Sequence, residues 1–296
     1  MTTFLALLAN GLSLGAVYAL VALGFVIIFK VSEVLNFAHG SMVLFGAYVT
    51  ARAAPSLGFP AAVAIGVAGT ALLGVVIEWG LLARIRHAHP TQLTIMTLGI
   101  DILITTDLTR RIGSDVLPPG QPWGADTVGL GGVGITANRL IAFCVAAVLI
   151  GLFFLAFRFS DWGVTLRASA EDPEASSLMG IGQARVKAVA WLIAGALAAV
   201  AGVFLAGSPI SGVEPSLRMV AFAAFPAAVL GGLDSMAGAL AGGLIIGVAE
   251  SLVAGYQNSL GFLGGGVGSV VPYAVMLLVL LVRPSGLFGT RELARV

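Results

Sequence analysis

The chain has 296 residues, 58% of them hydrophobic and 10% charged, with a formal net charge of +1. A soluble domain of this size carries about a quarter charged residues. Fifteen basic and fourteen acidic side chains cannot cover a water-facing surface here, and so small a net charge gives nucleic acid no footing. The composition predicts an all-α fold, a polytopic transmembrane bundle of about 8–10 membrane segments in one domain spanning residues 1–296. The 40 glycines fit it, because small residues let helix backbones approach closely in lipid.

A helix crossing the hydrocarbon core needs about 20 apolar residues. Residues 4–29 satisfy this, with no basic stretch before them and Lys30 after them, so the segment reads as a retained first helix and not a cleaved signal. Residues 34–51 and 53–77 give the next two spans, divided by Arg52. A fourth begins at His87 and continues to about Leu108 if Asp101 and Asp107 are tolerated. Residues 107–138, with Leu117-Pro118-Pro119-Gly120, read as an exterior loop with turns. Residues 140–157 form the fifth span, in which Cys144 reads as a small buried hydrophobe. A polar, charged, helix-prone loop fills residues 159–186, and residues 188–213 return across the membrane.

Residues 219–233 and 235–249 are each short for a crossing, about 22 Å as helix. They flank the glycine-rich turn Gly231-Gly232-Leu233-Asp234-Ser235-Met236-Ala237-Gly238, and Pro226 interrupts the first. Such a pair reads either as discontinuous helices beside a transport path or as two tilted ordinary helices. The last span is residues 269–282, after a loop containing Gly261, Gly264, Gly265, Gly266 and Gly268. Lys and Arg orient the bundle. With residues 158–187 in the cytoplasm, Lys30, Arg84, Arg86, Arg158, Arg167, Arg185, Lys187, Arg283, Arg291 and Arg295 fall inside. Arg52, Arg110, Arg111, Arg139 and Arg218 fall outside. The N-terminus is then exterior, the C-terminus cytoplasmic, with about nine segments.

Enzyme signatures are missing. Neither lysine follows a glycine, so there is no phosphate-binding loop of the Gly-Lys-Ser/Thr type. Gly129-Leu130-Gly131-Gly132-Val133-Gly134 matches a dinucleotide spacing but reads as loop without a preceding strand. His39, His87 and His89 make no metal set with Cys144 or paired carboxylates, and His87 and His89 read as solvated. Glu78, Asp101 and Glu250 lie in or near spans, where a carboxylate is costly and points to function. Asp101 is the deepest; for Glu78 and Glu250 interfacial or paired structural roles compete with an ion relay.

The informative polar stretch is Arg167-Ala168-Ser169-Ala170-Glu171-Asp172-Pro173-Glu174-Ala175-Ser176-Ser177-Leu178-Met179-Gly180-Ile181. Asp172 can cap a short helix with Pro173 in its first position, and Glu174 complements the helix dipole. Ala175, Leu178 and Met179 share a face, and Gly180 stops the helix. Such a knob is built to dock into a groove of another protein or, alternatively, to lie on lipid; the anionic start favours the protein.

Glu174-Ala175-Ser176 with Gly180 resembles the coupling loop of ATP-binding-cassette (ABC) importer permeases, and residues 167–181 resemble its version in branched-chain (LIV-type, hydrophobic) amino acid permeases. Asn10–Gly24, Leu35-Asn36-Phe37-Ala38-His39-Gly40, Ile135–Leu140 and Gly231–Ala239 are similar to segments of the same family, in order along nearly the whole chain, and closer to the first permease of the usual pair. Ser176 stands where the family's loop usually has Ala. The resemblance implies a multi-pass subunit in a bacterial or archaeal cytoplasmic membrane. It would import branched-chain or hydrophobic amino acids with a second homologous or identical permease, two ABC ATPases and an exterior solute-binding protein. No cofactor is expected on this chain, ATP belonging to the partners. Glu171, Asp172, Glu174, Ala175, Leu178, Met179 and Gly180 would couple to the ATPases. Ser13, Tyr18, Asn36, His39 and Asp101 are the candidates for the path, with helix capping an equal alternative for Asn36 and His39. Competing readings are a relative carrying urea, short amides or another small solute, and an ion-coupled transporter or channel.

Overall fold

A computed structural model describes residues 2–85, 89–123, 126–130, 133–208, 212–257 and 267–289. Helix α1 spans Thr2–Ser32, α2 His39–Leu57 and α3 Phe59–Val75, which runs on through a π turn, Val76–Leu81, and a 3₁₀ turn, Leu82–Ile85. Helix α4 is Pro90–Ile112 and α5 Ala137–Phe159, with the strands β1, Thr127–Leu130, and β2, Val133–Thr136, between them. The polar loop holds α6, Asp161–Glu171, and α7, Pro173–Leu178. Then come α8, Gln183–Gly207; α9, Leu217–Phe222; α10, Phe225–Gly231; α11, Met236–Gly255; and α12, Val267–Val282. Among the described residues five helical stretches are long and apolar enough to cross a membrane: Thr3–Ser32, Phe59–Ile85, Ala137–Phe159, Gln183–Gly207 and Met236–Gly255.

Helix α1 is the centre of the bundle. From Tyr18 to Ile28 its side chains are buried on every side, apart from glycine, as expected of a helix apolar all round. It packs chiefly on α11, and also on α8, α5 and α10. The α1–α11 crossing is backbone against backbone. A methyl added at Gly247 would lie 2.3 Å from Gly15 Cα, and one added at Gly243 would lie 2.6 Å from Ala19 N. No real Cβ sits so close, so these glycines set the helix separation. Helices α10 and α11 meet the same way, Gly242 facing the Ala227 carbonyl.

Several sequence expectations shift. The division at Arg52 moves to Gly58, whose φ of +78° ends α2; α2 passes through Arg52 and Pro55 because no tight turn is available earlier. The helix expected from Val34, α2, starts at His39, and the residues before it are extended or turned. Of the two short segments, the first is discontinuous, split into α9 and α10 ahead of Pro226. The second is not: α11 runs to Gly255 and is long enough to cross. The fold is all-α in class as expected, but the glycine-rich stretch taken as loop carries a small antiparallel strand pair, Thr127 opposite Thr136 and Gly129 opposite Gly134. It is followed by α5, and among the described residues no parallel strand joins it to build a dinucleotide-binding unit. Cys144 is exposed on the outside of α5 and not buried. Arg86, His87, Gly131, Gly132, Gly261, Gly264–Gly266, Arg291 and Arg295 lie outside the described residues.

Two glycine substitutions separate packing from helix propensity. Gly247→Ala is expected to lower the melting temperature in detergent, since overpacking costs about 1–3 kcal/mol. Gly99→Ala, where an added methyl meets nothing, is expected to hold or raise it, since Ala is favoured over Gly in a helix by about 1 kcal/mol. Differential scanning fluorimetry of the two proteins checks the sign.

Candidate functional site

The polar loop folds as two helices broken at Asp172, the second of them the short helix expected after that cap. Helix α6 belongs to the bundle: Leu166 is fully buried, and the Arg167 guanidinium donates to the Phe157 carbonyl at the end of α5. Helix α7 is the projecting part. Asp172 caps it as expected, its Oδ1 accepting from the Glu174 and Ala175 amides at 3.0 and 2.9 Å, with Pro173 in the first turn. Gly180, at φ +87°, reverses the chain after it. Glu171, Glu174 and Ala175 are exposed, and Leu178 and Met179 are 89% and 84% exposed. A groove of ≈ 590 Å³ lies between α6, the turn after α7 and the start of α8, lined by Trp162, Thr165, Gly180, Ile181, Arg185 and Val189 among others.

What fastens α7 is a residue the sequence did not single out. Gln183, the first residue of α8, donates to Ser176 Oγ at 2.6 Å and reaches Ser169 Oγ of α6 and the Pro173 carbonyl, both at 3.3 Å. Ser176 is buried. The serine that departs from the usual alanine therefore faces inward and receives the clamp, which leaves the outward face unchanged. Only the glutamine's position just after Gly180-Ile181-Gly182 hinted at this.

The path candidates divide into two groups. Asn36, His39 and Asp101 come together in the interior. Residues 33–38 turn back into the bundle, held by α4: Thr94 Oγ1 accepts from the Leu35 amide and Thr97 Oγ1 from the Phe37 amide, at 3.2 and 3.0 Å. Asn36 Oδ1 accepts from the Ala38 amide at 3.0 Å, so it pins the turn ahead of α2. The His39 ring lies against Gly24 and Phe25, ring centroids 4.6 Å apart. Gly24 is eight residues before the end of α1, so α2 begins about 12 Å into the bundle. Phe225, the first residue of α10, packs on Phe25 and Phe37 here. Two helix starts thus meet in the interior, the arrangement of broken helices beside a path.

Asp101 is 2% exposed, midway along α4. It pairs with Arg218 at the start of α9, Nη1 to Oδ2 2.6 Å, and Arg218 also reaches Thr105 and covers the Phe222 ring. Arg218, counted with the exterior cations from sequence, instead sits against the middle of α4, its Cγ close to Gly40. Glu78 is buried in the π turn, beside a small cavity shared with Lys187. His89 is exposed and caps α4 through Thr91.

Ser13 and Tyr18 belong to the other group. Ser13 donates to the Arg139 carbonyl, and the Tyr18 hydroxyl donates to Glu250 Oε2 at 2.9 Å. Glu250 is therefore inside α11 and paired across to α1, not at the end of a short segment. Among the described residues no three His, Cys, Asp or Glu side chains are placed to hold a metal.

The model of a family described as branched-chain amino acid transport system / permease component matches residues 7–280. The LivH high-affinity branched-chain amino acid permease of Salmonella typhimurium is 33% identical, covering 99% of this chain and 98% of that protein. BraD of Pseudomonas aeruginosa is 32% identical with the same coverage. A probable branched-chain amino acid permease, LivH, of Methanocaldococcus jannaschii is 31% identical over 91% of this chain and 88% of that one. PsaBC from Streptococcus pneumoniae, solved with a Fab, shares the fold, with a TM-score of 0.52 and 13% identity over 93% and 91% of the two chains.

The buried ion pair gives a direct test. Asp101→Leu leaves Arg218 uncompensated and is expected to destabilise by about 3–5 kcal/mol. Asp101→Leu with Arg218→Met removes both charges and is expected to recover most of that loss, measured by thermal unfolding of single and double variants.

Proposed function

This chain belongs to the branched-chain amino acid permease family, a multi-pass component of transport systems, and from that premise we propose that it forms one half of the translocation path of an ABC importer for branched-chain amino acids. The single observation that supports the coupling role is α7. Its apolar residues Leu178 and Met179 are almost wholly exposed, although the helix is capped, stopped and clamped. A side chain held rigid and apolar in the open suits a groove on another protein. The charge bias puts α7 in the cytoplasm, where each permease of a pair would engage one of two ATPases; hydrolysis would occur there, since the sequence has no phosphate-binding loop.

Closure of the ATPase pair would push α7, and through Gln183 the push passes into α8 and through α6 into the end of α5. Tilting these helices against the core of α1 and α11 would switch access. The junction of α2, α9 and α10, with Asn36, His39 and Asp101, is the natural gate, because broken helices can shift there without tearing a continuous backbone ladder. Substrate would arrive from an exterior binding protein at the other end of the bundle. The family's branched-chain cargo fits an interior with few charges.

Replacing Leu178 and Met179 together by Asp is expected to abolish co-purification of the ATPases and to lower ATP-driven leucine uptake in liposomes at least about tenfold, one lost tenfold being about 1.4 kcal/mol. The melting temperature is expected to stay that of the parent, since neither side chain is packed. Undiminished co-purification would refute the docking role.

A further inference from the structure

At the end of the bundle away from α7, a cavity of ≈ 190 Å³ opens between the start of α1, the start of α5 and the ends of α8 and α11. Two opposite charges line it, Arg139 from α5 and Glu250 from α11. Ion pairs among the described residues involve neither, so they share one space without neutralising each other. Each is instead held by a neutral hydroxyl. Arg139 Nε donates to Ser208 Oγ at 3.1 Å, which fixes the guanidinium and leaves its two Nη groups as a fork suited to a carboxylate. Glu250 Oε2 accepts from Tyr18, which fixes the carboxylate and leaves Oε1 to accept from a cation. The remaining wall is largely apolar, with Leu14, Val17 and Phe204. Two separated, unpaired charges facing one small space within a low-dielectric bundle are costly and complementary to a zwitterion.

We propose that this cavity binds the head group of the transported amino acid, Arg139 taking its carboxylate and Glu250 its ammonium, with the aliphatic side chain on Leu14, Val17 and Phe204. This rests on the branched-chain amino acid reading and names where on the permease that substrate is recognised. Ser13, whose hydroxyl holds the Arg139 backbone, and Tyr18 act as positioning residues.

The test uses the whole transporter, assembled with its partner permease, ATPases and binding protein in liposomes, with labelled leucine. Arg139→Gln and Glu250→Gln are each expected to lower the maximal rate of ATP-driven leucine import by about 10- to 100-fold, the usual range for a lost hydrogen bond to a charged group. ATPase association and melting temperature are expected to stay unchanged. Ala254→Trp, which fills the cavity from its exposed margin and leaves both charged residues in the sequence, is expected to block import as well, and it serves as the decisive variant if a charge substitution unfolds the protein. Competition sharpens the assignment: leucinamide, lacking the carboxylate, is expected to compete no worse than leucine once Arg139 is Gln. Import at the parental rate in folded Arg139→Gln, Glu250→Gln and Ala254→Trp transporters would overturn the site and leave the proposed function standing. A parental transporter that imports no branched-chain amino acid would overturn the function reading, and the site with it.

Discussion

Everything in this molecule leans on one close approach, the crossing of α1 and α11 at Gly15, Gly243 and Gly247. In lipid no water drives apolar surfaces together, and contact between helices comes from van der Waals fit and interhelical hydrogen bonds. Backbones that nearly touch maximise that fit. The same pair of helices also carries the Tyr18–Glu250 hydrogen bond, at 2.9 Å. The rest of the bundle wraps this pair: α8, α5 and α10 pack on α1, and α10 and α12 pack on α11.

The crossing also explains why the polar groups fall in two places. Along α1 the stretch from Tyr18 to Ile28 is sealed by neighbours, and polar groups reach it at its start, through Tyr18, and at Gly24 and Phe25, where the His39 ring is inserted. At one end Ser13, Arg139, Glu250 and Ser208 border a cavity. Deeper in, the wedge formed by residues 33–38 and the α9–α10 break admits Asn36, His39 and the Asp101–Arg218 pair. A buried charge pair of this kind adds little net stability, but removing one partner is expensive, so it fixes where α9 can sit.

Much of this was legible in the sequence, and the failures share physical causes. Helix existence followed from apolar runs. The cap and stop of α7 followed from Asp172, Pro173 and Gly180, because those signals are local. Boundaries set by charge alone were misplaced: Arg52 did not end α2, since a helix stops where its backbone can turn, and Gly58 is the residue that turns. Cys144 was misjudged because in a membrane bundle an apolar run says nothing about which face looks inward. Arg218 and Arg139 were counted only as topology markers, since their partners Asp101 and Ser208 are 117 and 69 residues away. Gln183 was passed over because a clamp is visible only once α6 and α7 are folded beside α8.

Helix α8 has one further property as a mechanical part. It is about 37 Å long at 1.5 Å per residue, with the Gln183 clamp at its first turn and Phe204 and Ser208 on the cavity wall at its other end. It is therefore a lever with both ends committed. A swing of about 10° around the clamp would carry its far end about 6 Å, about twice the 3.1 Å that separates Arg139 from Ser208. A modest rocking motion at α7 would thus suffice to disengage the hydroxyl that steadies the guanidinium, so mechanical work done at one membrane face would loosen the grip on a passenger at the opposite face.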